Sequence, residues 1–183
     1  MSTHANTPEG DDIDSTGGGA DPLAGDPDWD GPTPPVFAIA TAVYGSDAGG
    51  RIITLRRGSK SAMAGMYYLP GGIMDEGEEP YGAAAREFTE ETGLRIGPLR
   101  VVGACPIWLY GQDYMQLSFA GQVEAGGEVT LSHEHDDYRW VSPAEFAAEF
   151  SPDRVAAIAG DDPRVRRLLD SLGEDARRYA EGV

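Results

Sequence analysis

The sequence predicts a layered α/β domain with a mixed sheet. Strand-like segments stand both before and after an amphipathic helix, further helix-period segments follow toward the C-terminus, and no internal repeat divides the chain. At 183 residues, 40% of them hydrophobic, the chain is long enough for one well-buried core with a tail attached.

Residues 1–34 are mostly Gly, Asp, Pro, Ser and Thr with few aliphatics, and are expected to form a disordered acidic tail ahead of a domain spanning 35–183. From Val36 the composition changes. VFAIATAVYG (36–45) and RIITLRR (51–57) are β-branched and apolar, and SDAGG (46–50) between them has turn chemistry, so the three read as a hairpin. GMYYLPGG (65–72) reads as a short strand stopped by Pro70. Pro80 suits the first turn of a helix that runs to about Thr92, where Gly93 ends it. Strand-like stretches fall within 94–110 and 114–125. YRWVSPAEFAAEF (138–150) predicts a strand and then a helix capped at Ser142. The segment 162–182 is helical, with Val165, Leu168, Leu169 and Leu172 on one face.

Composition narrows the function. The formal net charge of −17 opposes DNA, RNA and anionic membranes, so no nucleic-acid polymer and no membrane partner is expected. No apolar run approaches the ~20 residues that span a bilayer. The N-terminal residues lack the pattern of a signal peptide. Cys105, the single cysteine, has no intramolecular partner. These features favour a cytoplasmic protein.

The chemistry concentrates in GGIMDEGEEPYGAAAREFTEETGL (71–94). On a helix over 80–92, Tyr81, Ala84, Ala85 and Phe88 share one stripe, expected to face the core, while Glu87, Glu90 and Glu91 gather on another. Like charges at these spacings repel and destabilise a helix. A hard divalent cation, magnesium or manganese, resolves that conflict, because it takes oxygen ligands from a few carboxylates, waters and substrate phosphates. A plain solvated acidic face is the competing reading. Glu78 can approach from the loop before the helix, and Arg86 stands four residues before Glu90, where it can hold that carboxylate. Gly71 and Gly72 permit a tight turn and let backbone approach a metal or phosphate.

These residues resemble the signature of the Nudix hydrolases. Gly72, Glu78, Arg86, Glu87, Phe88, Glu90, Glu91, Gly93 and Leu94 fill every fixed position of it. The resemblance implies a Nudix-type αβα sandwich and hydrolysis of a diphosphate bond in a nucleoside diphosphate linked to another group. It implies that Glu87 and Glu91 are principal metal ligands with Glu90 close by, that Glu78 is a further ligand or an orienting carboxylate, that Arg86 aligns the glutamates, and that the Gly71 carbonyl joins the metal.

The signature does not fix the general base. In SHEHDDYRW (132–140), Glu134 is the best single candidate, with His135 beside it; an ordinary charged turn is the alternative. Arg56 and Arg57, ending the second strand, are candidates for phosphate contact. Tyr110, with Tyr67, Tyr68 and Trp108, could stack on a base. The expected ligand is a small nucleotide or diphosphate, and a homodimer is compatible with the resemblance. Two rival readings remain: an isoprenoid-diphosphate isomerase-like enzyme, which would need Cys105, and a non-catalytic nucleotide-binding regulator.

Overall fold

The computed structural model describes residues 37–60 and 63–182. The expected tail, residues 1–34, lies outside the described residues. The elements run β1 (Ala38–Ser46), β2 (Ile52–Arg57), β3 (Tyr67–Tyr68), α1 (Pro80–Thr92), β4 (Arg100–Leu109), β5 (Gln112–Gln122), β6 (His135–Val141), α2 (Pro143–Ala148), α3 (Pro152–Ala159) and α4 (Pro163–Glu181).

The six strands form one open sheet ordered β3-β2-β1-β5-β4, with β6 on β2. β1 and β5 run parallel from Ala38↔Tyr114 to Ser46↔Gln122, and the other pairs are antiparallel, so the sheet is mixed. β1 and β2 share only the register pair Ser46↔Ile52 and then part. The chain after β3 runs along β1 instead: Pro70 and Gly72 carbonyls accept from Val43 and Thr41 amides at 2.8 Å each, and Ala40 bridges Ile73. The expected 65–72 strand is therefore split, because Pro70 offers no N–H to continue the ladder on β2.

Alternation along the strands builds a core on each face. Ala42, Tyr44 and Ile52 face a cluster with Phe146, Phe150, Leu169 and Leu172 under α2, α3 and α4. Val43, Ile53, Leu55 and Phe119 face Ala84 and Phe88 of α1. This is the αβα sandwich. Gly45 makes the α1 packing possible, since a Cβ there would lie 2.3 Å from the Phe88 ring.

The helix ends follow the sequence signals. Pro80 opens α1 and Gly93, at φ 70°, closes it in the left-handed conformation. Ser142 and Glu145 form a capping box on α2. Asp162 caps α4 ahead of Pro163. Two expectations change. Ser151-Pro152-Asp153 starts a helix, α3, that the sequence reading leaves unassigned. The buried face of α1 is Ala83, Ala84, Phe88, Glu91 and Thr92, while Tyr81 is 52% exposed. The helix is rotated so that one glutamate points inward.

Candidate active site

That rotation sets the site. Glu87 and Glu91 lie one turn apart on α1 and turn toward a cavity of about 320 Å³. The chain after β3 supplies Gly71 and Gly72 to its wall, β2 supplies Arg57, and the start of β6 supplies Glu134 and His135. Tyr68, Tyr110, Gln116 and two α4 leucines line the remainder.

Glycine is required where the loop meets the helix. Gly71 has φ 153°, and a Cβ there would stand 2.1 Å from the Thr41 carbonyl oxygen. Its amide donates to Glu91 Oε2 at 2.8 Å. A Cβ on Gly72 would overlap the Glu87 carboxylate at 2.5–2.6 Å.

Electrostatics mark Glu91. It is 7% exposed, and burial, with Glu87 and Glu134 adding like charge, pushes its pKa up to about 8; the Gly71 hydrogen bond and the Arg57 charge oppose the rise. Burial also raises Glu87, against the lowering effect of Arg86. His135 Nδ1 stands 3.8 Å from Glu91 Oε1, and burial, reinforced by Arg57, lowers its pKa and favours neutral imidazole.

The expected residues separate into two groups. Gly71, Glu87, Glu91, Glu134, Arg57 and Tyr110 border the cavity. Glu78 and Glu90 do not. Arg86 holds Glu78 through two contacts of 2.9 Å, reaches Glu87 at 2.8 Å, and makes a longer 3.4 Å contact with Glu90, whose side chain is 60% exposed. Of the three glutamates expected on one face, Glu87 and Glu91 line the cavity, while Glu90, joined to Glu87 through Arg86, stays exposed outside it. Arg56 also turns away, paired with Asp136 at 2.6 Å, because neighbouring residues on a strand face opposite sides. Tyr67 bonds Asp137 under the Arg139 guanidinium, and Trp108 packs against Arg164.

Sequence reasoning missed Gln116 and the α4 leucines as wall residues. Tyr114, Gln116 and Ser118 alternate on the buried face of β5, and a polar pair at that spacing in an apolar strand was a readable signal. The sequence places Leu168 and Leu172 only on one face of a helix, with no sign that the face borders a cavity.

The oxygen-rich donors fit magnesium. Among the described residues no three His, Cys, Asp or Glu side chains form a ready metal cage. Magnesium rarely uses one: it typically binds through one or two carboxylates and completes its shell with water and substrate oxygens. The half-buried Glu87 and the buried Glu91, which repel each other, supply that pair. A larger open depression of about 760 Å³, lined by Leu94, Tyr138 and Trp140 among others, holds none of the signature glutamates. The smaller cavity is preferred as the site because perturbed carboxylates converge there.

Residues 36–159 match the family model described as NUDIX domain. A MutT-like protein of Streptomyces ambofaciens is 30% identical over 76% of this chain and 80% of its own. An octanoyltransferase of Myxococcus xanthus is 36% identical over 59% of this chain, and the match spans only 31% of that protein. Among solved structures, the MutT protein of Methanosarcina mazei Go1 aligns with TM-score 0.55 and 26% identity over 80% of this chain and 95% of that one.

Proposed function

Because this chain belongs to the Nudix hydrolase family, whose members hydrolyse phosphorus-containing anhydrides, we propose that it is a magnesium-dependent enzyme cleaving the diphosphate bond of a nucleoside di- or triphosphate, or of a nucleoside diphosphate linked to another group. The observation that carries the substrate and metal reading is the convergence of Glu87, Glu91 and Glu134 on one cavity beside Arg57.

Glu87 and Glu91 would hold the cation, with the Gly71 carbonyl a candidate third donor. When bound, the cation supplies a positive centre for the diphosphate oxygens and for charge developing in the transition state. Arg86 fixes Glu87 in one rotamer and keeps Glu78 against the loop. Gly71 N–H orients Glu91. Glu134, on the exposed rim, accepts the proton of the attacking water; neutral His135 can serve the same end. Arg57 adds a local positive charge in an acidic protein and steadies a substrate phosphate. Tyr68 and Tyr110 offer aromatic surface to a base. For the isomerase-like alternative, Cys105 is poorly suited: it is buried, burial pushes its pKa up to about 12, and it is not among the cavity's lining residues.

The test is turnover by the purified chain of nucleoside triphosphates, ADP-ribose, nucleotide sugars and dinucleoside polyphosphates, with and without magnesium, with products identified. Magnesium-dependent release of a nucleotide is the expected result. Tight nucleotide binding with no turnover of any compound would favour the non-catalytic regulator.

A further inference from the structure

α4 (163–181) lies beyond the matched region 36–159, yet it forms part of the cavity wall. Leu168 also lines a second, smaller cavity of about 100 Å³, and Ile107 of β4 is likewise common to both. These two side chains, both buried, are a wall shared by the two cavities. Trp108, Arg164 and Arg167 border the far side.

The second cavity gathers two arginines beside an indole. Arg164 and Arg167 stand about one turn apart on the same face of α4. The Arg164 guanidinium lies 4.8 Å from the Trp108 ring centroid, forming a flat cationic and aromatic surface. Its own carboxylate neighbour is Asp162, at 3.4 Å, and Asp113 is the acidic residue in the lining. Arg167 is exposed and makes no ion pair among the described residues. On a chain of net charge −17, two adjacent arginines beside the candidate active site complement phosphate.

Size indicates what reaches them. Ligand pockets begin near ~300 Å³, so the main cavity of about 320 Å³ suits a single nucleotide unit. A longer substrate must leave it, and the adjoining cavity lies across the shared Ile107–Leu168 wall. We propose that Trp108, Arg164 and Arg167 form a subsite for the second nucleotide of a substrate in which two nucleosides are joined through phosphates. The arginines take a distal phosphate, and the second base stacks on the guanidinium–indole surface. With Asp113 in the same lining and a net charge of −17 over the chain, the site favours a compact dinucleotide over a polynucleotide whose backbone would run onto acidic surface. The proposal rests on the nucleotide-hydrolase reading.

The experiment compares dissociation constants by titration calorimetry, with magnesium present, for methylene-bridged analogues that resist cleavage: one of diadenosine tetraphosphate and one of ATP. In the Arg164→Ala/Arg167→Ala double variant, affinity for the dinucleotide analogue should fall about tenfold while affinity for the ATP analogue stays within about twofold. Arg164→Lys/Arg167→Lys should recover part of the loss. Equal loss for both ligands, or loss for neither, would overturn the subsite. So would a loss confined to a 5′-triphosphorylated oligoribonucleotide run in parallel. Failure of the wild-type chain to hydrolyse any anhydride would count against the enzymatic reading, while the ratio of dissociation constants still judges the subsite.

Discussion

The Gly71 amide donates to Glu91 Oε2 across 2.8 Å and twenty residues of sequence, tying the loop after β3 to the last turn of α1. Glu91 thus has one oxygen committed to backbone and its other near neutral His135. Glutamine in its place keeps an acceptor for Gly71 but removes the charge that repels Glu87 and Glu134. Glu91→Gln is therefore expected to melt no lower than wild type at pH 8 without metal. Its kcat should fall by ~10³-fold or more, since the bound metal's share of transition-state stabilisation is several kcal/mol. Thermal melts and steady-state kinetics on one preparation check both halves. A lower melting temperature together with retained kcat would remove Glu91 from the mechanism.

The same carboxyl predicts how stability varies with pH. Its folded pKa, about 8, lies above the ordinary 4.5, so the folded chain keeps a proton that the unfolded chain releases. The stability cost is absent below about 4.5, grows through the window from 4.5 to 8, and is complete above it. His135, lowered from 6.5, acts in the opposite sense below that pH, so above 6.5 the slope is left to the raised carboxyls, Glu91 foremost and Glu87 in the same sense. Metal-free protein should lose melting temperature across this interval, and Glu91→Gln should flatten the slope. Magnesium competes with the proton, so its stabilising effect should be larger at pH 8 than at pH 6. A magnesium increment independent of pH would contradict this.

Adjacent glycines should fail differently. At Gly71 an added methyl meets backbone, the Thr41 carbonyl, at 2.1 Å, and the strand contact must open. At Gly72 it meets the movable end of Glu87. Gly71→Ala is expected to destabilise the fold by about 2–4 kcal/mol through strain and overpacking. Gly72→Ala should leave the melting temperature within a few degrees and weaken magnesium binding. Calorimetric magnesium titration beside thermal melts separates the two.

Much of this was legible in the sequence because it depends on local rules. Pro80 and Gly93 bound α1, Ser142 caps α2, and alternation marks β1 and β2. Glycine-to-leucine spacing over 72–94 identified the signature. The inward turn of Glu91 was not legible. A stripe drawn from Tyr81 and Ala85 maximises apolar burial, whereas tertiary packing of Phe88 against Gly45 rotates the helix past it. Nor could strand position show that Arg56 would pair with Asp136 while Arg57 lines the cavity, because the partner strand β6 is some eighty residues away.

α4 is held over the sheet by a buried carboxylate, and that anchor gives the last prediction. Asp175 is 7% exposed and accepts from Tyr44 O–H at 2.9 Å and Ser118 O–H at 2.7 Å on the same oxygen. Gly103 leaves room for it, since a Cβ there would sit 2.1 Å from Asp175 Oδ1. Ser118 in turn accepts from Gln116 Nε2 at 3.4 Å, so the anchor leads to a cavity wall residue. Asp175→Ala strands two buried hydroxyls and leaves a void, at an expected cost of about 2–5 kcal/mol. Asp175→Asn keeps an acceptor and should cost less than half as much. Because α4 also carries Leu168 and Leu172 to the cavity, loosening it should raise KM for a nucleotide more than it lowers kcat. Chemical denaturation ranks the two variants. A wild-type KM in a destabilised Asp175→Ala would show that α4 stabilises the fold without shaping the substrate cavity.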